Sequence, residues 1–179
     1  DGIRLSFANS YDYAHNDLNV LEQKLKQTTG QIFVVTESVF SMDGDMAPIQ
    51  DMIALCERHG AHLIVDEAHG IGVVGDRGEG LVQSLGVQDS IFARIYTYGK
   101  APGVHGAAVV GSQRLKDYLI NFARSFVYTT ALPEVSLAAI RESYRIFPTM
   151  VEERKQLGKL VAQFQAADIG YEKLKSNTA

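Results

Sequence analysis

Two short apolar runs constrain this chain more than any other feature. Residues 32–35 (IFVV) and 63–65 (LIV) are unbroken by polar residues, too short for helices, and rich in β-branched side chains. Such runs suit strands buried on both faces of a parallel sheet. They sit within the wider segments 31–38 (QIFVVTES) and 61–68 (AHLIVDEA), and two further β-rich runs follow at 93–99 (ARIYTYG) and 107–111 (AAVVG). Between and around them the apolar period changes to that of a helix. Ile49, Met52, Ile53 and Cys56 recur at i, i+3, i+4 and i+7, with Pro48 at the start and His59-Gly60 at the end. Leu115, Tyr118, Leu119, Phe122 and Phe126 mark a second helix with Ser112 as its N-cap, and residues 132–147 a third, entered through Pro133 and closed by Pro148. Asn16-Asp17 caps a helix over 18–26. The alternation of strand and helix predicts an α/β fold with a mostly parallel sheet.

In such sheets ligands bind at the carboxyl ends of the strands. Three strands deliver polar residues there: Ser38 and Ser41 after the first, Asp66 and His69 after the second, Thr97 and Lys100 after the third. Each has an ordinary structural reading. Asp66 could cap a turn, Lys100 could be a surface lysine, and Asp43-Gly44 reads as a simple turn beside Ser41. Thr129 and Thr130 could cap the helix that begins at Pro133. Taken together the set has a chemical reading. A carboxylate at the end of a buried strand needs a partner, and a protonated pyridine nitrogen is one. His69 would lie beside the same flat ring, and Lys100 could form a Schiff base. Thr97 and the two threonines could bind phosphate. Gly99, Gly103 and Gly106 would allow close approach of the backbone. A helicase-type reading of Asp66-Glu67-Ala68-His69 fails, because no G-x-x-x-x-G-K-[ST] loop is present.

The bulk properties narrow the classes. The formal net charge is −4 and no basic run marks a nucleic-acid face. No apolar run approaches a membrane span, and no signal peptide opens the sequence. The single cysteine, Cys56, fits a reducing compartment. The expected setting is soluble and cytoplasmic. His15, His59, His62 and His105 show no metal-ligand spacing with a third partner, so no metal site is expected. His59 and His62 are read as facing solvent, His105 as a loop residue, and His15 as structural.

The motifs His15-Asn16-Asp17, 38–48 (SVFSMDGDMAP), 65–72 (VDEAHGIG), 97–106 (TYGKAPGVHG) and 126–133 (FVYTTALP) together resemble the α-oxoamine synthases, which are fold-type I enzymes dependent on pyridoxal 5′-phosphate (PLP). Their order and spacing agree with that family through nearly all of residues 1–150. The resemblance implies a three-layer large domain over 1–148, here incomplete. It also implies a linker helix and the start of a smaller C-terminal domain over 149–179. It implies that Lys100 holds PLP, that Asp66 pairs with the pyridine nitrogen, that His69 and Ser41 contact the ring's phenolate oxygen, and that Thr97 binds the phosphate. Thr129 and Thr130 would reach the phosphate of the partner subunit in a homodimer. The implied substrates are an amino acid and an acyl-CoA, joined with release of CoA and, in most members, of CO2.

Family members also carry an N-terminal phosphate loop with a ring-stacking histidine and a C-terminal arginine that binds the substrate carboxylate. Neither region is in this sequence, so the isolated chain is expected to be inactive. His105 stands where relatives often have a small residue. Two other classes compete: a non-catalytic partner subunit, and another fold-type I enzyme such as an aminotransferase or a glycine C–C lyase. The presence of Lys100, Asp66 and His69 together speaks against the first. The segments 38–48 and 126–133 speak against the second.

Overall fold

The computed structural model describes residues 2–167; the last part of the expected C-terminal domain start, residues 168–179, lies outside them. Helix α1 (Leu18–Gln27) opens where the sequence places its cap: the Asp17 carboxylate accepts from the backbone N–H groups of Asn19 at 2.9 Å and Val20 at 3.1 Å. Strand β1 (Phe33–Glu37) leads into α2 (Ile49–His59), which ends at Gly60 in the left-handed conformation, φ 63°. That geometry is why a glycine closes this helix. Strand β2 (His62–Asp66), the single-turn α3 (Leu81–Ser84) and strand β3 (Ala93–Thr97) follow, and β4 (Ala107–Gly111) completes the sheet. Beyond it lie α4 (Gln113–Phe122), α5 (Arg124–Val127), α6 (Glu134–Ile146) and α7 (Val151–Ala166).

The result is an α/β fold with a mixed, mostly parallel sheet in the order β1-β2-β3-β4. The first three strands are parallel and β4 is antiparallel to β3. The reversal follows from connection length: residues 98–106 form a loop with no crossover helix, and a parallel partner needs a dozen residues or more to return. The sequence also reads one helix through Phe126. The chain instead breaks at Ala123, whose extended backbone separates α4 from α5.

Burial alternates along β1 and β2. Val34, Leu63 and Val65 point into a core completed by Leu21 and Leu25 of α1 and by Ile49, Met52, Ile53 and Cys56 of α2. Each large aliphatic side chain there contributes about 2 kcal/mol. Val35, Ile64 and Ile95 on the opposite face are only half-buried. The expectation of strands buried on both faces is therefore met on one face among the described residues, because α1 and α2 lie on the same side. A second cluster, Ile71, Tyr96, Tyr98 and Phe147, joins the end of β3 to α6 through Ile140.

Two histidines differ from their expected exposure. His62 packs between Phe33 and Phe92, ring centroids 5.3 and 4.8 Å away, and the His59 ring nitrogen lies 3.5 Å from the Glu22 carboxylate. No helix among the described residues is long and apolar enough to cross a membrane.

Burial, with a smaller contribution from Glu57, pushes the Cys56 thiol up to about 11. The folded protein thus holds this proton more tightly than the unfolded chain does. The thiol's contribution to stability is full below its ordinary value of 9.0 and is lost as pH rises towards about 11. Native protein at pH 8 is expected to resist a thiol-reactive disulfide reagent and to react stoichiometrically once unfolded; fast labelling of the native state would contradict this packing.

Candidate active site

The parallel ladder brings three strand ends level. Glu37 pairs with Asp66, and Asp66 with Ile95. The ladder continues one residue further, with Ser38 N–H donating to the Asp66 carbonyl and Glu67 N–H to the Ile95 carbonyl, each at 2.8 Å. Cross-strand partners face the same side, and so do residues two apart. Glu37, Asp66 and Thr97 therefore share one face at the carboxyl edge of the sheet, and Ser38 and Glu67 share the other.

Asp66 is partly buried, and its Oδ1 accepts from the Ala68 N–H at 2.8 Å. His69, three residues on, turns its Nδ1 towards the Glu37 carboxylate at 3.7 Å. The same Glu37 oxygen accepts from the Ser41 N–H at 3.2 Å. Glu37 thus links Ser41 and His69, which come from different loops. The Thr97 hydroxyl oxygen is buried and has no hydrogen-bond partner among the described residues, an arrangement that leaves a buried polar atom in need of a ligand.

On the other face Glu67 is fully buried. Its carboxylate accepts from Ser38 Oγ at 2.8 Å, from the Leu81 N–H at 3.1 Å and from the Val82 N–H at 2.7 Å. These bonds close residues 67–82 into a loop on the end of β2. Gly70 and Gly80 line the carboxylate so closely that a Cβ at either would collide with it.

Lys100 is exposed, in the loop between β3 and β4. Tyr98 anchors that loop: its N–H donates to the Gly106 carbonyl, and its carbonyl accepts from Val104, both at 2.9 Å. Ser143 Oγ of α6 donates to the Pro102 carbonyl at 2.9 Å, and the Gly103 N–H donates to the Lys100 carbonyl at 2.9 Å. The loop also abuts the one that carries His69. Gly72 has φ 78°, and a Cβ there would lie 2.8 Å from that of Ala101. The Lys100 side chain makes no hydrogen bond or ion pair among the described residues. Burial first, and then the Tyr98 hydroxyl 3.4 Å away, raise the Tyr144 phenol; burial does the same for Tyr96. Neither supplies charge near neutral pH.

The structure brings Ser41, Asp66, His69, Thr97 and the Lys100 loop to one edge. Thr129 and Thr130 are exposed in the turn after α5. Glu37 and Glu67 were not singled out in the sequence. The period-2 pattern carries the signal for both, since Glu67 continues the buried alternation Leu63, Val65 and Glu37 is in step with Val35. The structure also gathers His15, Asp43 and Asp45, whose ligand atoms lie within 4.8 Å of one another. Spacing concealed this group because His15 lies about 30 residues from Asp43 and Asp45. All three are exposed, and Asp45 is already engaged by His15 Nε2 at 2.8 Å and Asn16 Nδ2 at 2.9 Å. The cluster ties the start of α1 to the 41–47 turn.

The family model for aminotransferases of class I and II matches residues 1–179. The chain belongs to that family. Within it the likeness is to α-oxoamine synthases. The 8-amino-7-oxononanoate synthase of Marinobacter nauticus is 44% identical over 181 residues, covering 99% of this chain and 46% of that protein. A solved 8-amino-7-oxononanoate synthase from Francisella tularensis superimposes with a TM-score of 0.79 at 32% identity, over 91% of this chain and 47% of that one. A variant serine palmitoyltransferase from S. paucimobilis, solved with a bound PLP–myriocin aldimine, gives a TM-score of 0.82 at 30% identity, over 89% of this chain and 40% of that one. The chain spans less than half the length of these relatives.

Two substitutions test the architecture of this class I and II site. Glu67→Gln removes the charge from three hydrogen bonds and turns an amide N–H towards donors; it is expected to lower unfolding free energy by about 2 to 4 kcal/mol in chemical denaturation. Gly72→Ala combines a left-handed backbone with a collision against Ala101 and should cost about 1 to 3 kcal/mol. Hydrogen exchange should speed up at the Gly103 and Val104 amides, and Ala101→Gly should recover part of the loss. Unchanged exchange there would show that the two loops are not coupled.

Proposed function

We propose that the chain is the PLP-binding core of an α-oxoamine synthase that condenses an amino acid with an acyl-CoA. The observation that carries this reading is the convergence of Asp66, His69, Thr97 and the Lys100 loop on one sheet edge. The buried, unpartnered Thr97 hydroxyl supports a phosphate at that edge. When bound, PLP supplies an electron sink for a bond broken at the amino acid's α-carbon.

The chain's own residues divide the work. Asp66, fixed at the end of β2, would hold a proton on the pyridine nitrogen. His69 and Ser41 would bind the ring oxygen, and the Thr97 hydroxyl would donate to the phosphate. Lys100 would hold the cofactor through Nζ, and the same amine would take the α-proton of the amino acid. The α-carbon would bond to the thioester carbonyl as the C–S bond breaks and CoA leaves as the thiol, and the loss of CO2 would be balanced by a proton returned to the α-carbon. Thr129 and Thr130, both exposed, suit a phosphate held by a second subunit, and we assign the working unit as a homodimer.

The preferred substrates are alanine and a pimeloyl thioester, the reaction of 8-amino-7-oxononanoate synthase in biotin synthesis; the 44% identity to the Marinobacter nauticus enzyme supports them. The reactions of serine palmitoyltransferase and of 2-amino-3-oxobutyrate CoA ligase are the alternatives. We also assign residues 1–148 to the three-layer large domain of a fold-type I enzyme and 149–179 to the start of a smaller one. The exposed Leu157, Leu160, Val161 and Phe164 of α7 support that boundary. A reducing, cytoplasmic setting agrees with the lone buried Cys56.

Borohydride reduction with PLP, followed by peptide mapping, is expected to place a pyridoxyl group on Lys100 alone. The full-length protein should release free thiol from pimeloyl-CoA with alanine faster than from palmitoyl-CoA with serine. Labelling at another lysine would overturn the site, and the reverse preference would transfer the assignment to the palmitoyltransferase class.

A further inference from the structure

Glu37 has no role in the site described above, yet it is the group that joins two of its members. Its carboxylate lies 3.7 Å from His69 Nδ1 and accepts the Ser41 N–H at 3.2 Å. Its Cα partner across the ladder is Asp66, so two carboxylates stand side by side on one face of neighbouring strands. Strands in a sheet are about 4.8 Å apart, and like charges so placed repel unless positive charge intervenes. The group that lies against Glu37 is the imidazole of His69.

We propose that Glu37 is a positioning residue that acts through His69. The carboxylate faces Nδ1 at 3.7 Å, which turns the opposite ring nitrogen, Nε2, away from Glu37. A histidine held at one nitrogen by an acid has its orientation and its proton at that nitrogen fixed. With Nδ1 turned to an anion, Nε2 is the ring nitrogen left to face an anionic ring oxygen. The Ser41 N–H on the same carboxylate oxygen fixes the Ser41 backbone relative to the imidazole, so one acid sets two donors from two loops. This role rests on the PLP reading above.

The test is a double-substitution cycle on PLP affinity in the full-length protein, with Glu37→Gln, His69→Asn and the two combined. Glutamine keeps an acceptor for the Ser41 N–H and removes only the charge. Glu37 is partly exposed, so thermal unfolding should shift little. Glu37→Gln is expected to raise the PLP dissociation constant about tenfold and to shift the visible absorption band of the bound cofactor. The double variant should bind PLP no more weakly than His69→Asn alone, because the acid acts only through the histidine. Multiplied effects in the double variant, or a Glu37→Gln protein with unsubstituted affinity and spectrum, would overturn the proposal. If the unsubstituted protein fails to take up PLP, the functional reading falls and this role falls with it, an outcome distinct from the other two.

Discussion

The arrangement of the site depends on a carboxylate that touches no cleft. Glu67 is fully buried at the end of β2, where a charge is tolerated only with its hydrogen-bonding capacity met. Ser38 and the backbone of Leu81 and Val82 meet it. Those bonds fold residues 67–82 back onto the sheet and set the start of the loop that carries His69. Asp66, one residue before, is thereby turned to the opposite face. The functional face is ordered from behind: a satisfied buried charge on one side of the strand holds exposed polar groups on the other.

The second constraint is contact between loops. Gly72 and Ala101 meet where neither backbone could accept a larger neighbour. Through that contact the position of the Lys100 loop is tied to the His69 loop, and Ser143 secures it from α6. The site is thus built from three strand ends, one buried acid and one glycine contact. Each is local, and the parallel ladder brings them level.

Much of this was legible in the sequence, for identifiable reasons. The apolar runs at 32–35 and 63–65 could only be strands, and the period of Ile49, Met52, Ile53 and Cys56 could only be a helix. Strand ends in a parallel sheet collect polar groups, so Ser41, Asp66, His69, Thr97 and Lys100 were visible together. What escaped depended on pairing. Glu37 matters because register sets it beside Asp66, and register is not written in either strand alone. Glu67 was read as part of a four-residue motif instead of as a continuation of the Leu63, Val65 alternation. The antiparallel β4 follows from a connection too short for a crossover and sits within the mostly parallel sheet that the sequence predicts. Burial on one face only reflects α1 and α2 packing on the same side. The exposed apolar residues of α4 to α7, among them Phe122, Tyr128 and Phe164, mark the half of the chain with least internal core.

The most direct measurement of the central claim is a crystal structure of the full-length protein grown with PLP. The account predicts density joining Lys100 Nζ to the cofactor, the pyridine nitrogen at the Asp66 carboxylate, and a phosphate oxygen within hydrogen-bond distance of Thr97 Oγ1. A cofactor bound with its phosphate away from Thr97, or with Asp66 facing no ring nitrogen, would contradict it.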